Sequence, residues 1–263
     1  MDAVMGLKIS GVRGAGGFAG KDYRPPCKIY RCPDGWVTVR HHMTTIFAAM
    51  TDQTRRQGDH PAVVFHDADS GERTELSFAT LHNWVSKTAN LLLDSFDAGL
   101  GSDVRLDVPL HWLVPVVALG TWATGATLRM EPGGDVVVMH EDDLTDTDAR
   151  PDLVIGTAMG GRPQVSDVGG ALIVTDILAQ PDEFVDDPGD EGAWALGGRT
   201  QATLLNDRPN DDQSARVLHA AQRTSDDLFF LLARTLPHGT GVVLARGFDD
   251  SGLRRLADQE NAD

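Results

Sequence analysis

Few residues of this chain are arranged in a pattern that suggests chemistry. His111 and Trp112 close the segment "DVRLDVPL" (103–110), which reads as a strand. In open α/β sheets ligands bind at the C-terminal ends of strands. The same pair also suits the start of a packed helix. "HEDDLTDTD" (140–148) groups five carboxylates, hard oxygen ligands for a divalent cation. Its spacing is not that of an EF-hand, and a solvated acidic helix start is the simpler expectation. His219, Ser225 and Asp226 have the residue types of a hydrolytic triad, yet no G-x-S-x-G elbow is present. Cys27, Cys32, His41 and His42 supply zinc-ligand chemistry, but a C-x4-C pair is loose and adjacent histidines point apart. A Cys27–Cys32 disulfide would require an oxidising compartment. Gly14, Gly16, Gly17 and Gly20 miss the G-x-G-x-x-G spacing, and Pro25-Pro26 stand where a phosphate-binding helix would open. From these groups the sequence assigns no catalytic residue and no metal site.

Composition narrows the partners. The net charge of −16 opposes nucleic acid and anionic membrane surfaces, which both need a basic face. The longest apolar run, "WLVPVVALGTWATGATL", is broken by Pro115, Gly120 and Gly125 and does not read as a membrane span. No secretory signal is visible, so a cytoplasmic location is expected. Charge is uneven along the chain. Residues 1–42 balance at +4 and residues 43–263 at −20, and Lys87 is the only lysine after residue 42. Residues 1–42 are therefore expected to be a disordered tail or upstream sequence read from too early a start codon.

The elements that would position a site alternate between strand and helix. "TTIFAAMTDQTRRQ" has a helical apolar side, "AVVFH" (62–66) reads as a strand, and "DADSGE" as a turn. Ser77 is placed to cap a helix carrying Phe78, Leu81, Val85, Thr88 and Leu92 at helical spacing. "DVRLDVPL" is the next strand. "HWLVPVVALGTWATG" is a buried helix that Pro115 delays or kinks and Gly125 ends. "ATLRM", "DVVVMH", "PDLVIGTA" and "GALIVTDI" read as further strands. An acidic loop follows, "QPDEFVDDPGDEGAW". Thr224 or Ser225 then caps a helix, "HGTGVVLARGF" turns into a strand, and Asp249 or Ser251 opens a last helix. The pattern predicts an α/β fold with mostly parallel sheets and flanking helices. Its expected division is a subdomain over 43–180, a linker over 181–199 and a partial α/β unit over 200–263.

Three stretches carry a resemblance to the N-terminal half of the adenylate-forming enzymes, the acyl-CoA synthetases and adenylation domains. They are "TELSFATLHNWVSKTANLL", "GSDVRLDVPLHWLVPVVALGTWATGATL" with Pro109 and Gly125 at matching positions, and "LARTLPHGTGVVLARGFDDSGLRRLADQE". More closely, the chain resembles short AMP-binding-enzyme-like proteins of about its own length. The resemblance implies ATP or AMP and acyl-CoA as ligand classes, and it also exposes departures. The superfamily holds ATP phosphates with a Ser/Thr/Gly loop ending in Pro-Lys-Gly. Here "ALGGRTQATL" lies where that loop gives way to its helix, and it offers only Gly197, Gly198, Arg199 and Thr200. Arg199 has the geometry to contact a phosphate. Thr157, Gly160 and Gly161 form a poorer second candidate. The adenine and ribose signatures are unmatched, the chain is expected to stop short of the domain bearing the superfamily's catalytic lysine, and Lys87 is expected to point to solvent.

These readings make His111, Trp112, Gly197, Gly198, Arg199 and Thr200 the candidate ligand-binding residues, with no cofactor assigned. The expectation is a non-catalytic relic of the adenylate-forming fold that binds a small acyl or nucleotide ligand or a protein partner. The alternatives are a carboxylate-activating ligase with altered or partner-supplied catalytic groups, and an acidic interaction module.

Overall fold

A computed structural model describes residues 28–32, 35–39, 45–144, 150–156, 158, 160–165, 167–207 and 216–262, the first two stretches as backbone only. Cys27, His41, His42, Thr157 and the glycines between 14 and 20 lie outside the described residues. The chain divides into two units, Met1–His42 and Met43–Asp263. In the first, β1 (Lys28–Cys32) and β2 (Gly35–Val39) form an antiparallel pair.

The second unit is built on two sheets. One has four strands in the order β12-β13-β3-β4: β3 (Pro61–Asp67), β4 (Arg73–Ser77), β12 (Val217–Ala220) and β13 (Val242–Arg246). The other has seven, in the order β11-β10-β6-β5-β7-β8-β9. These are β5 (Asp103–Leu106), β6 (Thr127–Arg129), β7 (Val136–His140), β8 (Leu153–Ile155), β9 (Leu172–Ile173), β10 (Trp194–Leu196) and β11 (Arg199–Thr200). Among the described strands of this unit, only the β3–β4 and β10–β11 pairs are antiparallel. The predicted α/β class with mostly parallel sheets is the observed one.

The helices are α1 (Ile46–Gln57), α2 (Phe78–Phe96), α3 (Leu113–Ala123), α4 (Val174–Leu178), α5 (Gln201–Asn206), α6 (Asp226–Thr235) and α7 (Asp250–Glu260). Their starts follow local chemistry. The hydroxyls of Thr45, Ser77 and Ser225 and the carboxylate of Asp249 each accept a backbone N–H of the first turn. Helix α2 packs on β3 and β4 and against α3, which packs on β5 and β6. All eleven residues of α3 are buried, so these two helices form the layer between the sheets. The close α2–α3 crossing depends on Gly120: a Cβ there would stand 2.8 Å from Thr88 Cγ2. On the far side of the four-stranded sheet, Leu256 of α7 packs with Val64, Val243 and Ala245.

Several predicted strands are shorter than expected, "PDLVIGTA" and "ATLRM" at three residues each among them. "DVRLDVPL" leaves the ladder after Leu106, because the Val108 N–H bonds to Thr224 Oγ1 and the Leu110 N–H to Gln222 O. "GALIVTDI" is strand for two residues only. Asp176 Oδ2 accepts the Ile173 N–H at 2.8 Å and starts α4 instead. No helix among the described residues is long and apolar enough to cross a membrane.

Candidate functional site

The parallel strands β3 and β13 end side by side, and each ends on a charge. Asp67 closes β3 and Arg246 closes β13, paired in register. Arg246 Nε donates to Asp67 Oδ1 at 3.2 Å and Nη2 to Oδ2 at 2.9 Å. The third nitrogen, Nη1, donates 3.1 Å to Leu110 O, in the loop after β5 of the other sheet. The guanidinium thus ties the two sheets together, and it lies 5.6 Å over the Phe65 ring. Burial by itself raises the Asp67 carboxyl, but the Arg246 and Ser70 hydrogen bonds and the Arg246 charge outweigh it and hold it at about 2.

That anchored loop presents His111 and Trp112. His111 is 3% exposed, its ring edge-on to Phe65 at 5.4 Å and tilted against Trp112 at 5.4 Å. Trp112 packs edge-on against Trp84 at 5.1 Å, and its indole N–H has no partner among the described residues. His111 Nδ1 accepts the Leu113 N–H at 3.3 Å, while Nε2 has no partner among the described residues. Burial, with Arg246 and His140 adding like charge, pushes the imidazole down to about 3 against a smaller opposing effect of Asp67. Gly161, at φ +74°, closes over this loop. A Cβ there would strike Leu113 Cδ1 at 2.2 Å and stand 3.4 Å from His111 Cε1.

His140 ends β7, the neighbour of β5. It is 2% exposed, its Nδ1 accepts the Asp142 N–H at 3.2 Å and lies 3.4 Å from Asp142 Oδ2, and its Nε2 has no partner among the described residues. Burial lowers its pKa, partly offset by Asp142, Glu141 and Asp143. The neighbouring carboxylates serve separate structural tasks. Buried Glu141 accepts the N–H groups of Gln164 and Val165, and Asp143 binds Arg223 at 3.0 Å, which also holds Asp107. Among the described residues no three His, Cys, Asp or Glu side chains are grouped to hold a metal ion.

The other sequence-derived candidates sit on the same edge of the seven-stranded sheet. Gly197 and Gly198 follow β10, which β6 separates from β5. Both glycines have positive φ, 54° and 72°, and make the tight turn into β11. Thr200 Oγ1 caps α5 by accepting the Thr203 N–H at 3.3 Å. Arg199 Nη1 lies 3.5 Å from Asp207 Oδ2, and its guanidinium lies 4.7 Å over the Phe230 ring. The candidates therefore fall into two groups, His111–Trp112 and Gly197–Thr200, two strands apart.

Lys87 does not point freely to solvent as expected. Its side chain is 17% exposed, and Nζ donates to Leu178 O and Gln180 O and pairs with Asp182 at 2.7 Å. Sequence reasoning missed Asp67, Arg246 and His140. The available signal was a charged or imidazole group ending each apolar run, "AVVFHD", "VVLAR" and "VVVMH".

No protein-family model matches the sequence. A Mycobacterium tuberculosis protein described as a TIGR03089 family protein is 31% identical over 215 residues, covering 78% of this chain and 87% of the relative. A Brucella canis acyl-CoA synthetase structure matches with a TM-score of 0.64 at 15% identity, over 83% of this chain and 46% of its own. Acetoacetyl-CoA synthetase from Streptomyces lividans matches at 0.62 and 17% identity, over 83% and 41%. The N-terminal domain of FACL13 from Mycobacterium tuberculosis matches at 0.54 and 13% identity, over 83% and 61%. The chain thus spans about half the length of these solved structures. At such identities the likeness shows the fold, that of the N-terminal part of adenylate-forming enzymes.

Proposed function

Because this chain belongs to the TIGR03089 family and carries the adenylate-forming fold, we propose that it is a non-catalytic binding protein, holding a small acyl or nucleotide ligand without turning it over. One observation carries the reading. Where the chain enters α5, it offers a two-glycine turn at Gly197-Gly198 in place of a hydroxyl-rich phosphate loop with its lysine. The nearby Arg199 is engaged by Asp207 and Phe230, and Lys87 is tied to the 178–182 segment. Each lost phosphate donor removes about 3 kcal/mol of transition-state stabilisation.

The test is ATP–pyrophosphate exchange by the purified chain across a panel of carboxylic acids, alongside calorimetric titration with AMP, ATP and acyl-CoA. Binding heat without exchange is expected. Exchange by the chain alone would overturn the reading. A second reading, a carboxylate-activating ligase completed by another polypeptide, is favoured by the half-length match to the solved enzymes. It predicts exchange only in a complex isolated from the source cells.

A further inference from the structure

We draw no further inference here: the strongest candidate, the surface edge of the four-stranded sheet along β12 (Val217–Ala220), unpaired on its outer side among the described residues, carries nothing because nothing in the structure shows what covers it.

Discussion

His66 Nε2 lies 3.0 Å from Glu260 Oε1, joining β3 to the last residue of α7. The same buried carboxylate accepts Arg73 Nε at 3.3 Å and Arg216 Nη1 at 2.8 Å. Burial alone would raise its pKa, but the Arg73 and His66 hydrogen bonds prevail and lower it. Glu260 is thus the latch by which α7 covers the outer face of the four-stranded sheet.

Glu260→Gln should lower stability by about 1–2 kcal/mol, since it removes the buried charge that the partly exposed Arg73 and Arg216 share, while Arg73 keeps Glu75. Urea denaturation measures the loss, and amide exchange should localise it to α7. An unchanged urea midpoint would refute the latch.

The Asp67–Arg246 pair should behave as one unit. Asp67→Asn strands a buried guanidinium and should cost about 3 kcal/mol, whereas Asp67→Asn with Arg246→Met should cost clearly less than the sum of the single changes. The Asp67 carboxyl has its native pKa depressed to about 2 from 3.8. Its contribution, about 2 kcal/mol, is present above the unfolded value and lost as pH falls from about 4 toward 2. A double-mutant cycle at neutral pH and at pH 3 checks both statements.

His111 acts earlier in an acid titration and through a different state. Its native pKa of about 3 lies below the 6.5 of the unfolded chain. Below pH 6.5 the unfolded form gains a proton that the native form refuses. Stability therefore falls as pH drops from 6.5 toward 3, by up to about 1.4 kcal/mol per pH unit from this one group. His111→Phe should flatten the stability profile over that range. An identical slope in wild type and variant would contradict a neutral buried ring.

Gly120→Ala tests the helix crossing. The added methyl meets Thr88 Cγ2 at 2.8 Å and Thr88 Cβ at 2.9 Å, both buried. Overpacking should outweigh the gain in helix propensity and cost about 1–3 kcal/mol. Thr88→Ala in the same chain should restore part of it, read from thermal melts.

The sequence made the architecture legible because the information was local. Ser77 and Asp249 show their capping role three residues ahead, and the valine-rich runs that become β3, β7 and β13 punctuate the helices. β12 escaped notice because it has four residues, none buried, and is held only along β13. The site was legible only in part. His111 and Trp112 stand out at a strand end, but Asp67 and Arg246 meet across 179 residues and no spacing rule links them. The fate of Lys87 was equally hidden, since its partners are carbonyls of a loop about ninety residues downstream rather than neighbours on its own helix.

Helix α3 has no outer face. During synthesis it emerges well before α6, which packs against it and begins only at Asp226. Until then the ribosome holds out an oily rod with one side bare, the kind of surface that chaperones grip and that sticks to its own copies. Folding of this unit is therefore tied to α6, and a message that stalls before Asp226 would deliver a chain prone to aggregate in place of a smaller working piece.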